Sequence, residues 1–258
     1  DFGQLRRRYG VADADAYDRL FESGRRAGKC CGEASTLYLA DREALTKLVD
    51  AHPDVRVVVL VRDPARIAVS FYQQMRLMGF EPRSFGEAWA AISRWPADVP
   101  ASFPDALLAD YVHVASLATQ LRRASTVVDR SRLLAVLFDD LVDDPGGTLE
   151  RVGAFLGVAV TGAADLPHEN TAREPRSGLA GVLRSSRVRR PLQRVAARVP
   201  ESALSPVRTL RDRLLFQPTT VEVSDDEMQA VRRAMAPVVR DLGVEMELDL
   251  IERWGYAS

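Results

Sequence analysis

The sequence predicts an α/β fold: a parallel sheet flanked by helices, with a mainly helical C-terminal part. Three observations carry this expectation. Residues 55–61 (VRVVVLV) form a continuous β-branched run rather than an alternating one. Such a run suits a central strand of a parallel sheet, covered by helices on both faces. Residues 133–141 (LLAVLFDDL) make a second strand candidate. Helical patterns lie before, between and after these two runs, as layered α/β domains require.

Taken in chain order, residues 14–23 (ADAYDRLFES) read as a short amphipathic helix with Tyr17, Leu20 and Phe21 on one side, closed by Gly24 and Gly28. Residues 29–33 (KCCGE) are a short strand candidate. Asp41 is placed to cap a helix over DREALTKLVDAH, whose Leu45, Leu48 and Val49 recur at helical spacing, and Pro53 ends it. After the run at 55–61, Arg62-Asp63-Pro64 stops the strand. Asp63 has the chemistry of an N-cap and Pro64 of a first helical residue, so a helix is predicted to continue to Gly79. Residues 85–94 and 105–123 read as helical, and TLERVGAFLGV as a helix that stops at Gly157. Residues 160–177 read as loop. Beyond Gly178 the pattern is helical, broken by Pro191, Pro200, Pro206 and Pro218, and a last helix begins at a capping box of Ser224 and Glu227. The predicted division is an α/β domain over residues 1–180, incomplete at its N-terminus, and a helical extension over residues 181–258 packed on the same domain.

Composition narrows the function classes. The chain has 258 residues, 47% hydrophobic and 28% charged, with a formal net charge of −1. That is an ordinary globular composition with no overall bias toward nucleic acid or membrane. Charge is unevenly spread: between Arg173 and Arg213 eleven Arg face only Glu174, Glu201 and Asp212. This stretch is either a solvated face or an electrostatic funnel for an anionic ligand. Cys30 and Cys31 are the only cysteines and they are adjacent, so neither a disulfide framework nor metal-type spacing exists. A reducing, cytoplasmic setting is expected. The sequence has no membrane span and no signal-peptide pattern. It does not begin with Met, which reads as a fragment.

The strongest chemical signal is LVRDPARIAVSFY, residues 60–72. A side chain at the carboxyl end of a parallel strand opens onto the crevice where α/β sheets bind ligands. Arg62 sits there, and the amides and dipole of the following helix favour an anion at the same place. Ser70, two turns into that helix, can donate its hydroxyl to a phosphate oxygen. The guanidinium fork of Arg matches phosphate better than Lys does. The structural alternative pairs Arg62 with a carboxylate and leaves Ser70 as a helix filler.

With these residues the chain resembles the PAPS-dependent sulfotransferases of the bacterial and heparan-sulfate type. An R-x-P with Ser eight residues after the Arg is similar to their 3′-phosphate-binding motif. CGEASTLYL resembles their G-E-x-S/T-x-x-Y segment, RSFGEAWAA their S-F-E-E-A helix, LLAVLFDDLVDDPGGTLERVGAFLGV their second-strand region, and ENTAREPRSGLAGVLR an N-x-[ST/A]-x-x-P-R-S segment. These occur in family order over roughly residues 1–190. The resemblance implies a P-loop-NTPase-like sheet and sulfuryl transfer from 3′-phosphoadenosine 5′-phosphosulfate (PAPS), without a metal, to a hydroxyl or amine. The implied partner is a small-molecule or carbohydrate acceptor, not nucleic acid; oligomeric state is not legible. Carried onto this chain, Arg62 and Ser70 bind the donor's 3′-phosphate, and Arg173 and Arg176 lie in the loop that covers the nucleotide.

The chain departs from the family at several points. The N-terminal K-x-G-T/S-T loop that holds the 5′-phosphosulfate and the later K-E-P/x-x-F-F segment are not in the sequence. Asp1-Phe2-Gly3 looks like the residues that follow that second segment, so a first strand and the phosphate loop are expected to be missing. Ala34 stands where many members carry Lys, and Ile67 where many carry Arg, with Arg66 a substitute. Glu33, at the end of the strand candidate, is either the base that accepts the acceptor's proton or a carboxylate that positions neighbouring amides or an Arg. His52 reads as a surface residue, His113 as packed or exposed on a helix, and His168 as a loop residue able to approach the site. Trp89, Trp95 and Trp254 read as core anchors, with Trp95 also able to touch an acceptor, and Cys30 and Cys31 as buried strand residues. Two rivals stand beside the transferase: a non-catalytic nucleotide- or anion-binding module (or inactive fragment), and a P-loop kinase. The kinase reading lacks a Walker A sequence.

Overall fold

A computed structural model describes residues 14–35, 37–41, 43–160, 173–175, 216–218 and 223–256. The order of elements is α1 (Ala14–Arg26), α2 (Leu37–Ala40), α3 (Ala44–Ala51), β1 (Val57–Val61), α4 (Pro64–Met78), α5 (Phe85–Ala91), α6 (Tyr111–Ala115), α7 (Leu117–Val127), β2 (Leu133–Leu137), α8 (Phe138–Asp143), α9 (Pro145–Leu156), β3 (Arg173–Pro175), β4 (Phe216–Pro218), α10 (Asp225–Met246) and α11 (Leu250–Arg253). Short 3₁₀ turns at Ile92–Arg94, Ala106–Ala109 and Arg130–Arg132 join some of them.

Strands β1 and β2 pair in parallel, in a register that runs from Val57 opposite Leu133 to Val61 opposite Leu137. The predicted parallel sheet is therefore present as a two-stranded ladder among the described residues. The expectation that β1 is covered on both faces is corrected. Val59 and Val61 are 3% and 0% exposed, but Val58 and Leu60 are 39% and 47% exposed. Only the odd-numbered side chains meet the core, because side chains alternate between faces along a strand. The other face looks into an open cleft. Strand β2 ends at Leu137, four residues earlier than predicted, and its chain turns directly into α8.

The buried face of β1 packs with Leu117, Ala118 and Leu121 of α7 and with Val239 and Leu242 of α10. A second cluster joins Ala65, Ala68, Tyr72 and Met75 of α4 to Phe85 and Ala88 of α5, Tyr111 and Ala115 of α6, and Val231 and Met235 of α10. The i, i+4 spacing of Val231, Met235 and Val239 lays one stripe of α10 across both clusters. Each fully buried Val, Leu or Met contributes about 1.5–3 kcal/mol, so α10 is a main source of cohesion.

Helix ends follow the predicted chemistry where a polar cap was visible. Asp63 caps α4 by accepting from the Ala65 amide at 2.9 Å, with Pro64 as first helical residue. Gly79 and Gly157 end α4 and α9 with φ of +76° and +73°, the left-handed conformation that glycine adopts without strain. Ser224 and Glu227 form the capping box of α10. Other expectations shift. Residues 29–33 make no strand, and Cys30 and Cys31 are exposed. Asp41 accepts from the Glu43 and Ala44 amides, so α3 starts at Ala44. The predicted helix over 105–123 is interrupted at Asp110 and Ser116, where Asp110 caps α6 through the His113 amide. Residues 173–175 and 216–218, read as loop and as broken helix, pair as antiparallel strands. The pairing joins positions 41 apart in sequence, Pro175 and Phe216, and sequence periodicity does not encode it, since two three-residue strands carry too few side chains to show a pattern.

Candidate functional site

The strand β1 delivers Arg62 at its carboxyl end, and α4 begins two residues later. In the parallel register Val61 faces Leu137, so the next residue on each strand, Arg62 and Phe138, are also neighbours. The Arg62 guanidinium carbon lies 4.8 Å from the Phe138 ring centroid. A cation over an aromatic face is held by the ring quadrupole, worth about 0.5–2 kcal/mol depending on how far water is excluded. Its Nε is buried and has no hydrogen-bond partner among the described residues. A buried donor left unsatisfied costs about 1–3 kcal/mol. The predicted structural alternative, an Arg62–carboxylate pair, is not what these residues form: the neighbouring Asp63 carboxylate is engaged elsewhere. Arg62 is a cation stacked on one face, with its Nε short of an acceptor among the described residues.

Asp63 is 4% exposed. One carboxylate oxygen, Oδ1, accepts from the Ala65 amide and, at 2.5 Å, from the Tyr256 hydroxyl. The other, Oδ2, lies 3.9 Å from both Arg66 Nε and Arg232 Nη2. Burial, followed by the hydrogen bond to this carboxylate, pushes the Tyr256 hydroxyl pKa well above the ordinary 10.0. The phenol is therefore a committed donor at neutral pH.

A cleft of about 1480 Å³ opens over the exposed face of β1. Arg62, Ser70, Ile67, Phe138, His113 and Glu33 all line it. Ser70 is exposed on α4 and lines the cleft. Ile67 presents an apolar side chain there. Arg66 sits beside Asp63 rather than in the cleft, so it does not replace the guanidinium that Ile67 displaces. Glu33 accepts a hydrogen bond from the Tyr38 hydroxyl. The Tyr17 hydroxyl is raised by burial first and by the Glu33 carboxylate second, which places Tyr17 at the same group. Among the described residues, the hydrogen-bond partner recorded for Glu33 is the Tyr38 hydroxyl, with the Tyr17 phenol close by.

The structure brings together Glu33, Arg62 and Ser70 around one cleft. Arg173 is described only as backbone, opposite Pro218 in the β3–β4 pair, and Arg176 and His168 lie outside the described residues. His52, an exposed residue, also borders the cleft. Trp89 stacks on Phe85 at 6.0 Å in the core, and Trp95 Nε1 donates to the Ala106 carbonyl. The sequence reading missed Phe138 and Tyr256. The signal for Phe138 was present: both strands end in an apolar run, one residue, then Asp (LVRD and VLFD). No pattern marks Tyr256, which is 193 positions from Asp63.

Among the described residues, no helix is long and apolar enough to cross a membrane, and no group of three or more His, Cys, Asp or Glu is placed to hold a metal ion.

Comparison with known proteins adds three findings. The family model described as the sulfotransferase family matches residues 6–162. A sulfotransferase from Alicyclobacillus acidocaldarius superposes with a TM-score of 0.61 at 23% identity, over 93% of this chain and 74% of its own. The sulfotransferase domain from the curacin biosynthetic pathway gives a TM-score of 0.42 at 15% identity, over 86% of this chain and 67% of that one. No curated protein matches the chain. The likeness to the Alicyclobacillus acidocaldarius sulfotransferase is one of fold.

Proposed function

The chain belongs to the sulfotransferase family, and on that premise we propose that it transfers a sulfuryl group from PAPS to a hydroxyl or amine of a small-molecule or carbohydrate acceptor. The observation that carries this reading is the Arg62 guanidinium at the strand end, stacked on Phe138 with its Nε unpartnered. That environment fits a dianionic phosphate, which supplies the missing acceptor and the counter-charge together. Arg62 and the Ser70 hydroxyl then hold the 3′-phosphate of the donor. By the family resemblance, Arg173 and Arg176 belong to the segment that covers the nucleotide.

In the reaction the acceptor oxygen or nitrogen forms a bond to sulfur as the sulfur–oxygen bond to the 5′-phosphate breaks. The acceptor loses its proton, and adenosine 3′,5′-bisphosphate leaves with the bonding pair. Of the carboxylates that line the cleft, Asp18, Glu33 and Asp54, Glu33 is the one assigned to take that proton. Positioning and charge stabilisation supply most of the acceleration in such transfers.

A second reading is favoured by Ile67 and Ala34, which stand where the resemblance expects Arg and Lys: a module that binds the nucleotide without transferring the group. One experiment separates them. Adenosine 3′,5′-bisphosphate is titrated calorimetrically into the protein and its Arg62→Ala variant, and radiolabelled PAPS is followed in parallel. The variant is expected to lose about 2–4 kcal/mol of binding, roughly thirtyfold or more in affinity. Unchanged affinity would remove the 3′-phosphate assignment. Binding without any transfer of label, to water or to a panel of alcohols and amines, supports the module.

A further inference from the structure

We propose that Tyr256 and Trp254 are positioning residues for Arg62: the C-terminal tail clamps the two strand-to-helix turns between which the guanidinium lies on the Phe138 ring. The proposal rests on the reading of Arg62 as the anion grip. Its own support is a set of contacts that the family-matched stretch, residues 6–162, does not contain.

The β1–β2 ladder ends at Val61 and Leu137. Past that point no ladder bond sets the distance between the turn that carries Arg62 and the turn that carries Phe138. Each turn has an Asp in the next position, and the tail holds both. Tyr256 donates to Asp63 Oδ1 at 2.5 Å, and Trp254 Nε1 donates to Asp139 Oδ2 at 2.6 Å. Arg253 Nη2 adds a bond to Asp140 Oδ1 at 2.5 Å. Bonds to ionised carboxylates are about twice as strong as neutral ones.

The tail is itself preset. Gly255 has φ of +65°, and the amides of Gly255 and Tyr256 return to the carbonyls of Glu252 and Ile251. This is a glycine C-cap. It reverses the chain between Trp254 and Tyr256, so that two residues only two positions apart reach different turns. Arg232 of α10 backs the arrangement, with its guanidinium carbon 4.7 Å from the Tyr256 ring centroid and a hydrogen bond to the Trp254 carbonyl. Leu250, 1% exposed, anchors the tail in the same core cluster as Val59 and Val61 of β1. A tail that only packed against the core would not need two directed donors, one for each turn.

The test uses the full chain with Tyr256→Phe, which keeps the ring and removes the donor, and Trp254→Phe as a second variant that removes the other bond. Two readings are taken. Calorimetry compares adenosine 3′,5′-bisphosphate with adenosine 5′-monophosphate, and NMR follows the Nε–Hε signal of Arg62 without ligand. Tyr256→Phe is expected to weaken bisphosphate binding about fivefold to tenfold while monophosphate binding changes less than about twofold. The Arg62 signal is expected to shift or broaden, and the affinity effect to vanish in an Arg62→Ala background. Equal losses for both nucleotides, full persistence of the effect without Arg62, or an unmoved Arg62 signal in both variants would each overturn the clamp. If the wild-type protein binds no bisphosphate yet its Arg62 signal responds to Tyr256→Phe, the donor assignment fails and the clamp stands. If it binds and the signal stays fixed, the clamp alone fails.

Discussion

Replacing Asp63 by Ala removes a carboxylate that two parts of the chain share. The lost oxygen accepts the Ala65 amide, the first-turn cap of α4, and the Tyr256 hydroxyl. A lost N-cap costs about 1 kcal/mol. A lost hydrogen bond to a charged group costs about 1.5–3 kcal/mol, toward the upper end here because Asp63 is 4% exposed and water cannot replace it. Both bonds share one oxygen, so the losses do not add in full. The expected destabilisation is about 3 kcal/mol. For a chain of this size that lowers the melting temperature by about 6–12 °C. Asp63→Asn is the control. Asn caps helices as well as Asp and still accepts from the phenol, so only the charge is lost and about 1 kcal/mol is expected. Urea unfolding followed by circular dichroism reads both variants, with an unchanged m-value showing that stability alone has moved. A loss below about 1 kcal/mol for Ala, or an equal loss for Ala and Asn, would refute the shared-carboxylate account.

Alkaline titration tests the buried phenols. Burial first, and then the hydrogen bonds to Glu81 and Asp63 respectively, raise Tyr111 and Tyr256 above the ordinary 10.0. The fold holds their protonated forms, so their contribution is complete below pH 10.0 and is lost as pH rises through the higher folded-state values. Tyrosinate absorbance is expected to rise in two phases, the second together with unfolding; one phase, with all tyrosines ionising in the folded protein, would contradict the buried donors. Gly153→Ala probes α9. The added Cβ would stand 2.5 Å from Val160 Cγ2 and 2.9 Å from the Val158 carbonyl oxygen. Overpacking of about 1–3 kcal/mol then outweighs a helix-propensity gain of about 1 kcal/mol, and a raised melting temperature would refute the close approach.

Local chemistry made much of this architecture legible. The Asp63-Pro64 stop, the glycines at 79 and 157 and the Ser224–Glu227 box each act within a few residues, and the structure has each as read; the run at 55–61 gives a strand over Val57–Val61 with one face open. Features that depend on distant partners were read less well. The KCCGE strand candidate at residues 29–33 found no strand to pair with among the described residues, and so short a segment has no strand identity without a neighbour. Side chains 58 and 60 match their neighbours in type, yet sit on the open face, because nothing in a uniform run says which face is covered.

The sequence by itself determined that a strand ends at Arg62 and that a capped helix starts beside it, since turn and cap chemistry is local. Only the tertiary structure decided what surrounds that arginine. The parallel register sets Phe138 under the guanidinium, and Tyr256, 193 positions away in sequence, donates to the carboxylate of the adjacent Asp63. Asp63 can hold a helix cap or pair with Arg62, and local propensity does not distinguish the two. The Tyr256 hydroxyl and the Arg232 guanidinium contact that carboxylate beside the cap, and among the described residues the Nε of Arg62 has no acceptor.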